Sequence, residues 1–166
     1  VIGAYALGKA QRVISLLREA GYHEPIYLHG AMIRLCELYV DRGIPLGELR
    51  HATDATPRDL AGAVVIAPPS ALKDRWSRRL PDPVVGMASG WMSVKQRARQ
   101  RGVELPLVIS DHADWNELLA TIRDTQAHTI WVTHGREDAL VYQCSREGLI
   151  AEPLNIQGYE DGDDEQ

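Results

Sequence analysis

Two histidines follow apolar runs in this sequence, at positions where an imidazole could transfer a proton or bind a metal ion. His112 lies in the polar run SDHAD directly after the apolar run LVI, and His134 ends the run IWVT. Neutral imidazole is the commonest metal ligand and the commonest acid or base near neutral pH. The neighbouring carboxylates of Asp111 and Asp114 could orient a ring or join a coordination shell. The pattern indicates a candidate site for acid–base or metal chemistry.

A structural explanation of the same residues stays open. A single histidine at a strand end is more often a hydrogen-bonded polar group than a ligand, and Asp114 has the capping-box spacing with Glu117. The sequence also contains no HxH, HExxH or CxxC pair, so spacing alone does not complete a zinc site. Two strand-end histidines with adjacent carboxylates are the reason to keep the functional interpretation.

The elements that must position these residues are those of an α/β fold. Apolar, β-branched runs alternate with segments of helical period, which favours a mostly parallel sheet flanked by helices. We predict strands at 1–5, 25–28, 62–67, 83–88, 105–110, 129–133 and 150–156. Helices are predicted between Gly8 and Gly21 and at about 31–41, 70–80, 114–125 and 136–146, with a connection at 44–61. Ligands bind beyond the carboxyl ends of such strands, where both histidines are expected.

The charge distribution is more informative than the net charge of −5. The last seven residues hold five acids and no base, so the rest of the chain is neutral. Between positions 73 and 101 there are only two acids against eight bases, namely Lys73, Arg75, Arg78, Arg79, Lys95, Arg97, Arg99 and Arg101. The run 95–101 could follow a phosphate backbone, with Trp76 and Trp91 as stacking surfaces. A solvated basic helix face is the alternative.

A weaker signal lies at the junction Tyr5–Lys9, where a predicted strand passes through Gly8 into a helix. Backbone amides at a helix N-terminus, together with Lys9, could bind a phosphate. The single glycine lacks the spacing of a P-loop, so packing is the alternative role.

Composition narrows the class and the compartment of the protein. The hydrophobic fraction of 45% and the charged fraction of 25% are those of an ordinary globular protein. No apolar run approaches the roughly 20 residues needed to span a bilayer, so no membrane partner is expected. Cys36 and Cys144 form no disulfide framework, which favours the cytoplasm. The chain starts inside an apolar segment with no signal peptide, and we interpret it as a fragment of a longer protein.

The run SDHADWNELL, followed about twenty residues later by IWVTHG, resembles the last two motifs of the β-CASP branch of the metallo-β-lactamase-fold nucleases. The segments AYALGKAQRVISLL and PIYLHGAM are similar to the cap domain of that family. Within the family, the variant that looks most similar is the bacterial ligase-associated DNA exonuclease, which is related to messenger-RNA 3′-end processing nucleases.

The resemblance implies a division of the chain and a role for each candidate residue. Residues 1–104 correspond to most of the β-CASP cap, 105–156 to the returning C-terminal part of the metallo-β-lactamase domain, and 157–166 form an acidic disordered tail. His112 and Asp111 correspond to the motif near the scissile phosphate, with His112 as candidate general acid. His134 corresponds to a ligand of one of two zinc ions. The expected phosphate contacts are Lys95, Arg97, Arg99 and Arg101.

The resemblance further implies that the intact protein is a zinc-dependent DNA exonuclease that acts in DNA repair, with a DNA ligase as a candidate partner. The family's HxHxDH signature does not occur in these 166 residues. We therefore expect the chain alone to be inactive and to bind no zinc. We also expect it to self-associate through the apolar face of the returning segment. The alternatives are an RNA 3′-end processing nuclease of the same family and a non-catalytic module that binds nucleic acid or a partner.

Overall fold

The computed structural model describes residues 1–133 and 137–154, and Arg97 through its backbone only. The chain folds as two compact units, Val1–His112 and Ala113–Gln166. Among the residues that the structure describes, no helix has both the length and the apolar character that a membrane span requires.

The first unit contains a sheet of six short strands in the order β3-β2-β4-β1-β5-β6. The strands are β1 (Ile2–Gly3), β2 (Ile26–Leu28), β3 (Leu49–His51), β4 (Val65–Ala67), β5 (Gly86–Ala88) and β6 (Leu105–Leu107). All five pairings between neighbours in this sheet are parallel. The predicted α/β class with a parallel sheet flanked by helices is confirmed.

Strand β1 is the first in the chain and lies in the interior of the sheet. Ile2 pairs with Ile66 of β4 on one side and with Gly86 of β5 on the other. A parallel strand with neighbours on both sides and helices on both faces has no polar environment to meet, so its sequence is apolar throughout. This explains why the run VIGA at positions 1–4 carries no polar side chain.

One face of the sheet is covered by α1 (Lys9–Glu19) and α2 (Gly30–Asp41). Residues of both helices are buried together with alternate residues of the strands, including Ile26, Ile66 and Ala88. The helices form because their apolar residues recur at helical spacing, and Gly21, at φ 87°, ends the first of them in the left-handed region that favours glycine. This apolar layer is the main core of the unit.

The opposite face is covered by shorter elements, which are α3 (Pro57–Leu60), two 3₁₀ turns at Pro69–Lys73 and Arg75–Arg79, a third at Gly90–Ser93, and α4 (Lys95–Gln100). Tyr27, Val65 and Met87 point into this layer, because successive strand residues face opposite sides of a sheet. The layer therefore consists of the connections that lead to β4, β5 and β6. It also contains the eight basic positions between Lys73 and Arg101.

Two elements in this layer differ from the prediction. The segment 70–80 was expected to be one α-helix, but it forms two 3₁₀ turns that meet at Asp74, whose carboxylate accepts a hydrogen bond from Arg75 N at 2.6 Å. This local side-chain bond competes with continued helical bonding. The predicted connection at 44–61 contains β3 and α3, which begins at a capping box between Thr56 and Asp59.

The side chain of Arg18, near the end of α1, connects three segments of the first unit. Its guanidinium donates to the backbone oxygens of Leu46 (2.9 Å), Tyr22 (2.8 Å), Glu24 (2.7 Å) and Glu48 (2.9 Å). These carbonyls precede β2 and β3, so one planar cation satisfies the hydrogen-bond acceptors at the entrances to both strands.

The second unit contains α5 (Trp115–Thr125), β7 (Thr129–Val132), α6 (Glu137–Arg146) and β8 (Ile150–Pro153), and the two strands pair in parallel. The predicted capping box is confirmed, since Asp114 accepts from the amides of Asn116 and Glu117, and Glu117 accepts from Asp114 N. Arg123 and Gln143 donate to Glu147 and lower its pKa to about 2.

The boundary between the units lies after His112, whereas the domain division implied by the resemblance lies before Leu105. The physical reason is that β6 pairs with β5 in the six-stranded sheet, so the strand that leads to His112 belongs to the first unit. The identity of the two domains stays a prediction. The tail at 157–166 lies outside the described residues.

The second unit exposes several large apolar side chains. Trp131, Tyr142 and Ile150 are each more than half exposed. A two-stranded parallel sheet is too small to be covered on both faces by its own helices, so this exposure follows from its size. Self-association through this surface stays a prediction.

A candidate site at the carboxyl edge of the sheet

The two predicted active-site residues of the first unit lie at the carboxyl edge of the six-stranded sheet. Asp111 and His112 follow β6, and the chain after β1 leads through Gly8 to Lys9 at the same edge. The connection from β1 turns towards β2, and the connection from β5 turns the opposite way towards β6. Such a reversal opens a crevice beyond the strand ends, which is where open α/β sheets bind ligands.

An ion pair joins the two loops at this edge. Lys9 Nζ lies 2.6 Å from Asp111 Oδ1, and it also lies 5.6 Å from the centre of the Tyr5 ring. The Lys9 side chain is only 3% exposed and that of Asp111 is 36% exposed. A buried ammonium needs a partner of opposite charge, because the loss of its hydration is otherwise uncompensated. Asp111 is that partner, and the hydrogen bond from Lys9 lowers the pKa of its carboxyl group, with partial burial opposing.

The N-terminus of α1 is adapted to the Asp111 carboxylate. Gly8, the residue before the helix, has φ 78° and offers no side-chain cap. A Cβ atom at Gly8 would lie 3.9 Å from Asp111 Oδ2, so the carboxylate lies close to the positive end of the helix. The junction 5–9 was considered as a phosphate site. In the structure, its lysine pairs with a carboxylate of the same chain.

His112 presents its imidazole to solvent. Its side chain is 86% exposed, and its Nε2 lies 3.8 Å from the same Asp111 Oδ1 that contacts Lys9. The backbone amide of His112 donates to Ser110 Oγ at 3.2 Å, which fixes the turn. An exposed imidazole beside an anchored carboxylate can exchange a proton with a bound molecule without displacing any protein group.

The described residues do not by themselves fit a zinc ion. Within residues 1–133 and 137–154, no three His, Cys, Asp or Glu side chains are arranged to hold a metal. His134, the predicted zinc ligand, lies outside the described residues.

The predicted phosphate contacts lie on and directly after α4. Lys95 and Arg99 are exposed, and neither forms an ion pair with any of the described acids. Arg101 is half-buried and lies 3.9 Å from Met87 Sδ. The side chain of Arg97 lies outside the described part. Burial of Ala98 and Met92 holds the helix on the sheet, so its polar positions face outwards.

The two tryptophans considered as stacking surfaces have different environments. Trp76 packs on the core of its layer, and its ring meets the His29 ring edge-on at a centroid distance of 4.7 Å. Trp91 is 60% exposed and lies one helical turn before Lys95 in the sequence. Only Trp91 offers an accessible ring of the kind on which nucleic-acid bases stack.

His29, the residue after β2, has a structural role. Its Nδ1 accepts a hydrogen bond from Ala31 N at 3.1 Å and caps the N-terminus of α2. Burial against Trp76 lowers the pKa of His29, with the charge of Asp74 opposing. The cap requires neutral imidazole, because protonation turns the accepting nitrogen into a donor.

We expect the chain to lose stability as pH falls from about 7.5 to 5, and His29→Asn to reduce that loss by about 1 kcal/mol, the usual strength of a helix cap. The unfolded imidazole titrates near 6.5 and the folded one lower, so the unfolded state binds more protons in this interval. Urea unfolding at several pH values measures the effect. Asparagine keeps a capping acceptor but does not titrate. An identical pH dependence in both proteins would contradict the assigned role of His29.

The sequence analysis missed two residues that organise the first unit. Arg18 was not singled out within the predicted helix, and Lys9 was considered as a phosphate contact, with packing as the alternative, and not as a partner of Asp111. Both contacts join residues far apart in the chain, so spacing carries no signal for either. The buried Lys9 has one local sign, which is its position between two apolar segments.

Comparison with known proteins gives one informative similarity. No protein-family model matches the chain, and no solved structure matches it. The chain is 28% identical over 151 residues to a protein of Opitutus terrae named "Probable DNA ligase". The alignment covers 91% of this chain but 14% of the relative, so the chain spans about one seventh of that protein's length.

Proposed function

We propose that this chain is the nucleic-acid-binding part of a DNA-processing enzyme, and that in the longer protein its Ser110–His112 turn contributes to the active site of a metal-dependent nuclease. The similarity to a protein named as a probable DNA ligase supports a role on DNA. The resemblance of its histidine motifs to the β-CASP nucleases supports hydrolysis of phosphodiester bonds. The metal ligands of such an enzyme would have to include residues outside this chain.

The observation that carries the proposal is the segregation of charge onto one layer of the first unit. The layer of short connections contains eight bases and two acids between Lys73 and Arg101. The six bases whose described side chains are exposed are Lys73, Arg75, Arg78, Arg79, Lys95 and Arg99. A surface of this kind attracts a polyanion even when the net charge of the chain is negative.

The nucleic acid that fits this surface is single-stranded DNA. The exposed ring of Trp91 lies directly before α4, and its indole offers a face for an unpaired base. Bases inside a duplex are already stacked on their neighbours and do not present that face. The phosphates of a single strand can therefore contact the basic side chains of α4 while one of its nucleobases stacks on the Trp91 ring.

At the carboxyl edge, this chain's own residues could assist the reaction in two ways. The exposed His112 imidazole is placed to give a proton to a leaving oxygen, which is the role of a general acid. Asp111 is held by Lys9, and its Oδ1 also lies 3.8 Å from His112 Nε2. It therefore orients the imidazole and does not itself transfer protons.

We expect the chain to bind a single-stranded DNA oligonucleotide with a strong dependence on salt. Replacing Lys95, Arg99 and Arg101 with Gln should flatten the plot of log affinity against log salt by about 2, since each lost phosphate contact on a single strand removes roughly 0.7. Fluorescence anisotropy of a labelled oligonucleotide between about 50 and 300 mM salt measures this slope.

The matched control replaces three exposed arginines of the opposite layer, Arg12, Arg34 and Arg42, with Gln. It removes the same charge and should leave most of the slope in place. Equal effects of the two variants would reject the basic layer as the binding surface. Tighter binding of a matched RNA strand would favour the RNA-processing alternative, and cleavage of DNA by the isolated chain would show that no further ligands are needed.

A further inference from the structure

The Asp111 carboxylate makes contacts on two sides through one oxygen atom. Oδ1 lies 2.6 Å from Lys9 Nζ and 3.8 Å from His112 Nε2. Lys9 is buried at the first residue of α1, whereas His112 is exposed at the end of the β6 loop. The carboxylate therefore connects a fixed point inside the unit with a side chain at its surface.

We infer that Lys9 is a positioning residue for His112, which acts by fixing the Asp111 carboxylate and, through it, the turn that presents the imidazole. This inference rests on the proposed function for the use that is made of His112. The anchoring itself concerns only the first unit, and it can be tested whether or not the protein is a nuclease.

The anchor is well suited to this role because its own position is determined by burial. The Lys9 side chain is 3% exposed, and its ammonium contacts Asp111 Oδ1 and lies 5.6 Å from the centre of the Tyr5 ring. A side chain without rotational freedom holds its partner at little further entropic cost. By contrast, the His112 side chain is 86% exposed, so its position depends mainly on the turn that carries it.

The turn has two attachments that act together. Ser110 Oγ accepts from the His112 amide at 3.2 Å and lies close to Gly90, where a Cβ atom would meet Ser110 Oγ at 3.3 Å. One attachment therefore lies against the β5 loop, and the other, through Asp111, lies against the β1 loop. Loss of the Lys9 charge removes the second attachment and leaves His112 held by its backbone alone.

The experiment follows Asp111 and His112 by NMR in the 166-residue chain and in Lys9→Met, Lys9→Arg and Asp111→Asn. In the parent chain, the Asp111 carboxyl should titrate below the ordinary aspartate value of about 3.9. Lys9→Met should raise this midpoint, and Lys9→Arg should restore it. Exchange of the His112 amide should accelerate about tenfold in Lys9→Met and in Asp111→Asn.

Each result bears on the inference. An unchanged Asp111 midpoint in a folded Lys9→Met chain would overturn the ion pair, and an unchanged His112 exchange rate would overturn the positioning role. If Lys9→Met does not fold, the comparison of Asp111→Asn with the double variant Lys9→Met/Asp111→Asn decides the question. Lys9 acts on His112 through Asp111, so both variants should give the same exchange rate of the His112 amide. Failure of the chain to bind DNA would reject the proposed function, but it would leave these NMR results untouched.

Discussion

Replacement of Asp111 with Ala is expected to destabilise the chain by about 2 to 3 kcal/mol, and replacement of Lys9 with Met by only about 1 kcal/mol. The asymmetry follows from burial. Removing Asp111 leaves the Lys9 ammonium, which is 3% exposed, buried without a partner of opposite charge. Removing the ammonium leaves a carboxylate that is 36% exposed and that water can still reach.

Urea unfolding of the two single variants and of the double variant measures this difference. The double variant Lys9→Met/Asp111→Ala should be about as stable as Lys9→Met, because it contains no buried charge without a partner at this position. Losses that simply add in the double variant would mean that the two groups do not interact. The adjacent exposed His112→Ala is the control, and it should change the free energy of unfolding by less than about 0.5 kcal/mol.

Arg18→Met is expected to cost about 3 kcal/mol, since it removes a charged donor from four backbone carbonyls at once. The four oxygens, at 2.7 to 2.9 Å from the guanidinium, lie at the entrances to β2 and β3. Methionine keeps the apolar length of the side chain, so the loss reports the hydrogen bonds and not the packing. Thermal and urea unfolding give the value.

Two further variants sharpen the test of Arg18. Arg18→Lys should recover little of the stability, because an ammonium cannot reproduce the planar fork that donates to carbonyls on two segments. Arg12→Met, on an exposed position of the same helix, should be close to neutral. Full stability in Arg18→Lys would show that positive charge alone suffices.

The fold was predictable where apolar runs report burial on both faces. β2, β4 and β5 each consist of three buried residues, and each lies within a predicted strand. β3 was missed because it is an edge strand with two exposed residues, Arg50 and His51, and shows neither an apolar run nor alternation. The broken helix at 69–79 was missed because the competing cap of Asp74 is a local side-chain bond that apolar periodicity does not register.

The location of the candidate site was predictable, but the contacts between its side chains were not. The SDH run could be placed at the carboxyl edge because ligands of parallel sheets bind there, and the structure places Asp111 and His112 at that edge. The pairing of Lys9 with Asp111 joins two ends of the unit that meet only after β1 and β6 have both joined the sheet. Such a contact is a property of topology, and residue spacing does not encode it. The role of His134 stays a prediction.

The interior position of β1 has a consequence for how the chain acquires its structure. During synthesis, Ile2 is made before its partners Ile66 and Gly86, which follow more than sixty residues later. At a translation rate of roughly 10 residues per second, the earliest strand waits several seconds for its first neighbour. Loop closure over this distance makes the first unit a slow folder for its size. The apolar β1 segment is therefore without its partners during this interval.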